Sequence, residues 1–267
     1  MKSNYLAPLF ALGILSAVVS QAQVLMLDFG PTTTTTPANS PYGTGAGASP
    51  VWNQVQLADV AAGGLQYATG STATGVILNL GTATTTTTLN LGTNPGTSNV
   101  LGGILNTGIY ATGSVGTDAI YSGTNSVLNT TGFQVSGLAA GNYDIYITAR
   151  NTSRDDATSG YGQVVKLGTS TTSGNFDYNA YSSKTLTYAG ATSSTAWVEN
   201  GNYLKMSITL TSGDFLNLAV YGTGGDLRGF LNSVQIVNTS TIPEPSTYAL
   251  VAGATALGVI GLRRRRS

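Results

Sequence analysis

The sequence predicts an all-β protein, an antiparallel β-sandwich or jelly roll, with one apolar helix at either end. Three observations carry that prediction. The 267 residues are poor in charge, at 8%, and thin in the Lys, Glu, Gln and Arg that favour helices. Thr, Val, Ile and Tyr favour strands, while 35 glycines and many asparagines favour turns. Short runs alternate apolar and polar residues between Gly-rich breaks, which is the mark of half-buried strands. The candidate runs amount to roughly ten strands.

The first segment, 1–22, reads as a secretory signal peptide. Lys2 supplies the positive start and Leu6 to Val19 the apolar core. Ser20 and Ala22 are the small residues of a cleavage site between Ala22 and Gln23, used after passage through the secretion translocon. A retained anchor is the alternative, and the small-x-small ending argues against it.

The body, 23–238, opens with "VLMLDFGP", a strand that stops at Pro31. A Thr-, Pro- and Gly-rich loop follows, then Trp52 in "VWNQVQLADV". Leu78-Asn79-Leu80-Gly81-Thr82 recurs as Leu89-Asn90-Leu91-Gly92-Thr93. This local repeat suggests two strands joined by a Thr-rich turn; one longer strand through Thr84 to Leu91 is the alternative. In "GNYDIYITARN", Tyr143, Ile145, Ile147 and Ala149 alternate with Asp144, Tyr146, Thr148 and Arg150, after a turn punctuated by Gly137 and Gly141-Asn142. "YLKMSITL", "DFLNLAVYG" and "GFLNSVQIVN" supply three more alternating runs. The predicted core includes Ile145, Ile147, Leu216, Leu218, Val234 and Ile236.

The last segment, 239–267, has three parts. Pro243-Glu244-Pro245 holds the chain extended and exposed. Ser246 to Leu262 carries no charge, and as a helix it spans about 25 Å at ~1.5 Å per residue. That is a minimal crossing of a hydrocarbon core ~30 Å thick. Arg263, Arg264, Arg265 and Arg266 then act as a stop-transfer signal on the cytoplasmic side. An ordinary single-span anchor is the plain reading. The three parts in this order closely resemble the PEP-CTERM sorting signal of bacterial proteins. The resemblance implies an exosortase, a membrane cysteine transpeptidase, as processing partner. It also implies transient membrane anchoring, then delivery to the cell surface or extracellular matrix.

Less specifically, the order of the body's pieces resembles a galactose-binding-domain-like β-sandwich. The carrying residues are Asp28-Phe29-Gly30, Trp52-Asn53, Gly137-Leu138, Gly141-Asn142-Tyr143, Arg150 and Gly229-Phe230-Leu231-Asn232. Domains of this kind often bind carbohydrate or pack beside catalytic domains; the fold alone does not assign a role.

Composition removes several chemistries. The chain has no histidine and no cysteine, which excludes Ser-His-Asp and Cys-His catalysis and thiolate or histidine zinc sites. Without its two ends the body keeps six basic against ten acidic residues, with no basic cluster, so nucleic acid is not an expected partner. Asp155-Asp156 is a candidate calcium pair through oxygen ligands, or a solvated polar turn beside Arg154. No other cofactor is indicated. Trp197, Tyr178 and Tyr181 are candidate glycan contacts, with Tyr161 in a similar loop. The alternative puts Trp52 in the core, Trp197 half-buried and the tyrosines over strand edges. Thr32 to Thr36 and Thr84 to Thr88 are acceptors of O-linked sugar or plain linkers and turns. Three roles follow: a non-catalytic surface or matrix protein, a module that binds extracellular polysaccharide, or a glycan hydrolase with an unrecognised carboxylate site.

Overall fold

The computed structural model describes residues 23–31, 40–43, 50–100, 108–111, 114–151, 161–187 and 195–240. Strands β1 (Val24–Phe29), β2 (Asn53–Val55), β3 (Ile77–Ala83), β4 (Thr88–Leu89) and β5 (Thr97–Val100) come first. A single 3-10 turn, Gly108–Tyr110, is the one helical element among the described residues. It is followed by β6 (Asp118–Tyr121), β7 (Thr130–Ser136), β8 (Gly141–Thr148), β9 (Gly162–Ser170) and β10 (Phe176–Asp177). The last five are β11 (Ser182–Thr187), β12 (Leu204–Leu210), β13 (Phe215–Thr223), β14 (Phe230–Leu231) and β15 (Ser233–Asn238).

Two five-stranded sheets, β12-β8-β15-β1-β2 and β11-β9-β13-β7-β3, carry the fold, with small β10-β4 and β14-β6-β5 sheets beside them. The all-β expectation therefore stands, as a sandwich: inward residues of both large sheets form one buried cluster. That cluster holds Ile145 and Ile147 of β8, Leu216 and Leu218 of β13, and Val234 and Ile236 of β15, the six core residues predicted above. One pairing corrects the antiparallel expectation. β2 runs parallel to β1, with Leu27 opposite Asn53. The 30–52 connection supplies the length a parallel return requires.

The repeat forms two strands, as its period suggested. β3 and the start of β4 flank exposed Thr84 to Thr87, and Thr82 and Asn90 exchange backbone hydrogen bonds of 3.2 and 3.0 Å. Gly137, between β7 and β8, has φ +76°. A side chain there would collide with the Gly75 carbonyl, so the turn requires glycine.

Two strand readings need correction. β15, expected to bury one face, is buried on both, as is β1. Their outer sides, through Val24, Met26 and Val237, pack under Trp52 and Val115 in a second small core. Arg150, expected on the polar outer face, is only 1% exposed, with its guanidinium 3.4 Å from the centre of the Tyr110 ring. Stacking over an aromatic face suits this planar, weakly hydrated cation.

"GFLNSVQIVN" is broken in two at Asn232, which is fully buried. Its side chain accepts from the Arg150 amide (2.6 Å) and donates to the Asp118 carbonyl (2.6 Å). Its backbone accepts from Phe29 N (2.7 Å) and donates to Thr148 O (3.0 Å). Residues far apart in the sequence thus converge on one asparagine.

Among the described residues no helix is long and apolar enough to cross a membrane. The signal-peptide expectation on 1–22 and the helix expectation on 246–262 lie outside the described residues.

Asp28, next to last in β1 and on its outer side, is buried, and its Oδ1 has no hydrogen-bond partner among the described residues. Burial pushes its carboxyl from 3.8 up to about 8, and the Asp118 carboxylate adds to the rise. The folded protein therefore holds a proton on Asp28 that the unfolded chain has released. Its contribution is fully present below the unfolded pKa and is lost as pH rises toward 8. The urea midpoint is expected to fall between pH 5 and pH 8.5, and Asp28→Asn is expected to flatten that fall. An unchanged slope in the variant would assign the titration elsewhere.

Candidate functional site

The outer face of the β12-β8-β15-β1-β2 sheet carries a connected row of aromatic rings. Tyr146 projects there because it alternates with the core residues Ile145 and Ile147. Tyr203 lies one residue before β12, on the side of Lys205. Tyr42 is pinned over β15 by Gln235: the Tyr42 amide donates to Gln235 Oε1 (3.0 Å), and Gln235 Nε2 donates to Ser40 Oγ (3.0 Å). Ring centres are 5.3 Å apart for Tyr42–Tyr146, 6.1 Å for Tyr146–Tyr203 and 6.4 Å for Trp197–Tyr203. All four rings are half-buried, each keeping part of its surface open. Beneath Trp197, edge to face at 5.6 Å, lies buried Tyr110, which in turn stacks on Arg150.

One side chain shapes the segment that presents Trp197 and Tyr203. Asn202 Oδ1 accepts from the Val198 amide (2.8 Å), and its Nδ2 donates to the Ala196 carbonyl (2.7 Å). The turn closes with Asn200 at φ 61°, a left-handed conformation that asparagine tolerates better than most residues. The Asn200 amide then donates to Tyr203 O (2.8 Å).

Polar groups border the row. Lys205 Nζ lies 5.5 Å from the Tyr146 ring centre and 2.7 Å from Asp144 Oδ2. Burial alone would raise the Asp144 carboxyl; hydrogen bonds from Lys205 and Ser207 outweigh it and hold it below its ordinary value. The Lys205 ammonium is raised, chiefly by the same hydrogen bond that it donates to Asp144. Burial pushes the Tyr42 and Tyr203 phenols up from 10.0, with Tyr146 adding to both. Both hydroxyls are therefore neutral donors at physiological pH. Beyond Lys205 an open groove of ≈ 480 Å³ continues between the β11 and β12 edges, past Ser182, Ser183, Lys184, Glu199 and Ser207. Lys184 Nζ crosses it, donating to the Lys205 carbonyl (2.7 Å) and lying 3.5 Å from Glu199 Oε1.

Of the three predicted glycan contacts, the structure places only Trp197 here. Tyr178 is a correction: it is fully buried on the outer side of the other sheet. Its hydroxyl donates to Thr85 O (2.5 Å) and lies 2.9 Å from Thr130 Oγ1, so it anchors the Thr-rich turn instead of facing a ligand. Tyr181 lies on that same sheet, half-buried over Gly168 and stacked on Phe176 at 6.0 Å. Its hydroxyl accepts from Asn217 Nδ2 (2.9 Å), and Asn217 in turn binds Gln134 (2.9 Å). The alternative drawn from the sequence, with Trp52 in the core and Trp197 half-buried, describes those two residues correctly.

The sequence reading missed Tyr42, Tyr146 and Tyr203. The signal for Tyr146 was present, because it shares the outward register with Asp144 in a strand whose other face is core. Gln23, at the expected cleavage site, is exposed, and its carbonyl accepts from the Asn238 amide (3.0 Å). Ala22, Asp155, Asp156, Pro243, Glu244, Pro245 and Arg263 to Arg266 lie outside the described residues. Among the described residues, no group of three or more acidic side chains is placed to hold a metal ion.

No protein-family model and no curated protein matches the chain. Among solved structures it is similar to the carbohydrate-binding module TmCBM61 in complex with β-1,4-galactotriose. That similarity has 14% identity and a TM-score of 0.24, over 46% of this chain and 72% of that one. It is also similar to the Eiger TNF of S. frugiperda, at 16% identity and a TM-score of 0.23, over 42% of this chain and 68% of that one. Similarities this slight leave the function to the geometry of the site.

Replacing Asn202 with Ala removes the two side-chain hydrogen bonds that shape this turn, at a cost of about 0.5–1.5 kcal/mol each. It also frees the segment carrying Trp197. In a Trp52→Phe background, the Trp197 emission of the Asn202→Ala protein is expected to move to longer wavelength. Unchanged emission would show that Asn202 does not hold the ring.

Proposed function

We propose that the chain is an exported, non-catalytic surface or extracellular-matrix protein whose β-sandwich holds extracellular polysaccharide. The carrying observation is the row Tyr42–Tyr146–Tyr203–Trp197 on one sheet face, bordered by hydrogen-bonding side chains. Sugar rings present apolar C–H faces and polar edges. Aromatic faces beside Lys205, Asp144, Ser207 and the tyrosine hydroxyls match both. A pre-formed row also spares the ordering cost that flexible side chains would add.

Binding is tested on the full-length protein in detergent against a panel of plant, fungal and bacterial polysaccharides. Tyr146→Ala and Tyr203→Ala are each expected to weaken the best ligand about tenfold or more, the usual loss for a central aromatic anchor. Tyr178→Phe, on the opposite sheet, is expected to bind like the parent. Parent-like affinity in both alanine variants would remove the row from the site.

Delivery rests on the tail. Glu244 is the only charged residue between Arg228 and Arg263, and the prolines on either side of it favour the extended conformation that a processing groove takes. In a host with the sorting enzyme, Glu244→Ala is expected to be exported but to keep its tail and stay in the membrane. Intact mass of the membrane and external fractions reads this out. A Glu244→Ala protein trimmed and released like the parent would reduce the tail to an ordinary anchor.

A further inference from the structure

The orientation of the four rings narrows the class of ligand. Resting on the polysaccharide-binding reading above, we infer that the site takes a single, soluble, uncharged polysaccharide chain and rejects the flat face of a crystalline polymer. A crystalline face presents its sugars in one plane, and binding it requires aromatic faces in one plane. Here Tyr42 and Tyr146 are inclined by 52°, Tyr146 and Tyr203 by 27°, and Trp197 and Tyr203 by 76°. A plane laid on one ring meets the next at an angle. A free chain turns about its glycosidic bonds and brings successive sugars to rings that turn with it.

The rings are also locked in those orientations. Gln235 fixes the Tyr42 segment, Asn202 the Trp197 segment, and Trp197 is braced from below by Tyr110. Flattening the row to suit a crystal face would break those contacts.

The charge follows from the bordering ion pairs. Lys205 is matched by Asp144 at 2.7 Å and Lys184 by Glu199 at 3.5 Å. A polyuronate or sulfated chain would have to displace a protein carboxylate from each lysine, and a polycation would have to displace a lysine from each carboxylate. An uncharged chain needs neither and hydrogen-bonds to the pairs as they stand. The groove between β11 and β12 gives such a chain a path beyond Tyr146, past Ser182, Ser183 and Ser207.

The test compares retention of the full-length protein in detergent by microcrystalline cellulose and crystalline chitin with its mobility in native gels. The gels contain soluble neutral β-glucans and galactans, or polygalacturonate. Retardation by at least one neutral soluble polymer, with none by polygalacturonate and no retention on either solid, is expected. Affinity is expected to change less than about twofold between low and high salt, because no net charge is exchanged. It should climb with oligosaccharide length to the tetrasaccharide, one sugar per ring. Retention on a crystalline solid that Tyr203→Ala abolishes would overturn the inference while leaving polysaccharide binding in place. So would salt-sensitive binding of polygalacturonate. Failure to bind any glycan would overturn both.

Discussion

Asn232 is the residue on which the arrangement of strands depends. A continuous strand from Phe230 to Asn238 would belong to one sheet only. Because Asn232 turns its backbone toward Phe29 and Thr148 and its side chain toward Arg150 and Asp118, β14 joins β6 while β15 enters the large sheet between β8 and β1. Four hydrogen bonds from one buried residue tie together the ends of β1, β6 and β8. An apolar residue of the same size would remove the hydrogen bonds to the Arg150 amide and the Asp118 carbonyl from a dry interior, a large loss for a marginally stable domain. The end of β8 is thereby set, and with it Arg150, the Tyr110 ring stacked on it, and Trp197 above that.

The outer face of the β12-β8-β15-β1-β2 sheet is consequently neither bare nor sealed. Trp52, Val115 and the Tyr42 segment cover β1 and β15. The β8 and β12 side is left to Tyr146, Tyr203 and Lys205. The opposite sheet is finished differently: its outer face closes over the Gln134–Asn217–Tyr181 hydrogen bonds and the buried Tyr178 hydroxyl. Two faces of similar composition thus reach different ends. On one, the tyrosine hydroxyls are used up inside the protein; on the other, the rings keep an open side.

Much of the framework was legible because period-two alternation is a local property. Ile145 and Ile147, Leu216 and Leu218, and Val234 and Ile236 declare the inward face wherever the strand finally lies. The Leu-Asn-Leu-Gly-Thr repeat declared its turn in the same way. What was not legible depended on partners distant in sequence. Alternation alone makes Arg150 an outward polar residue; only the arrival of Tyr110, forty positions earlier, buries it. Tyr178 in a Gly- and Asn-rich stretch reads as exposed until Thr85 and Thr130 are brought to its hydroxyl. The aromatic row is of the same kind. Its members come from three separate stretches of chain, and only Trp197 and Tyr203 are near neighbours in the sequence.

The Lys184 bond to the Lys205 carbonyl also guards the edge of a sheet. Among the described residues, β11 and β12 end their sheets on the same side, and bare strand edges invite pairing with a neighbour's edge. Lys184 occupies one outward carbonyl of β12 from across the gap and places an ammonium where an incoming strand would lie. At high local concentration this opposes edge-to-edge growth of copies into fibres through this side, by the same lysine that borders the groove.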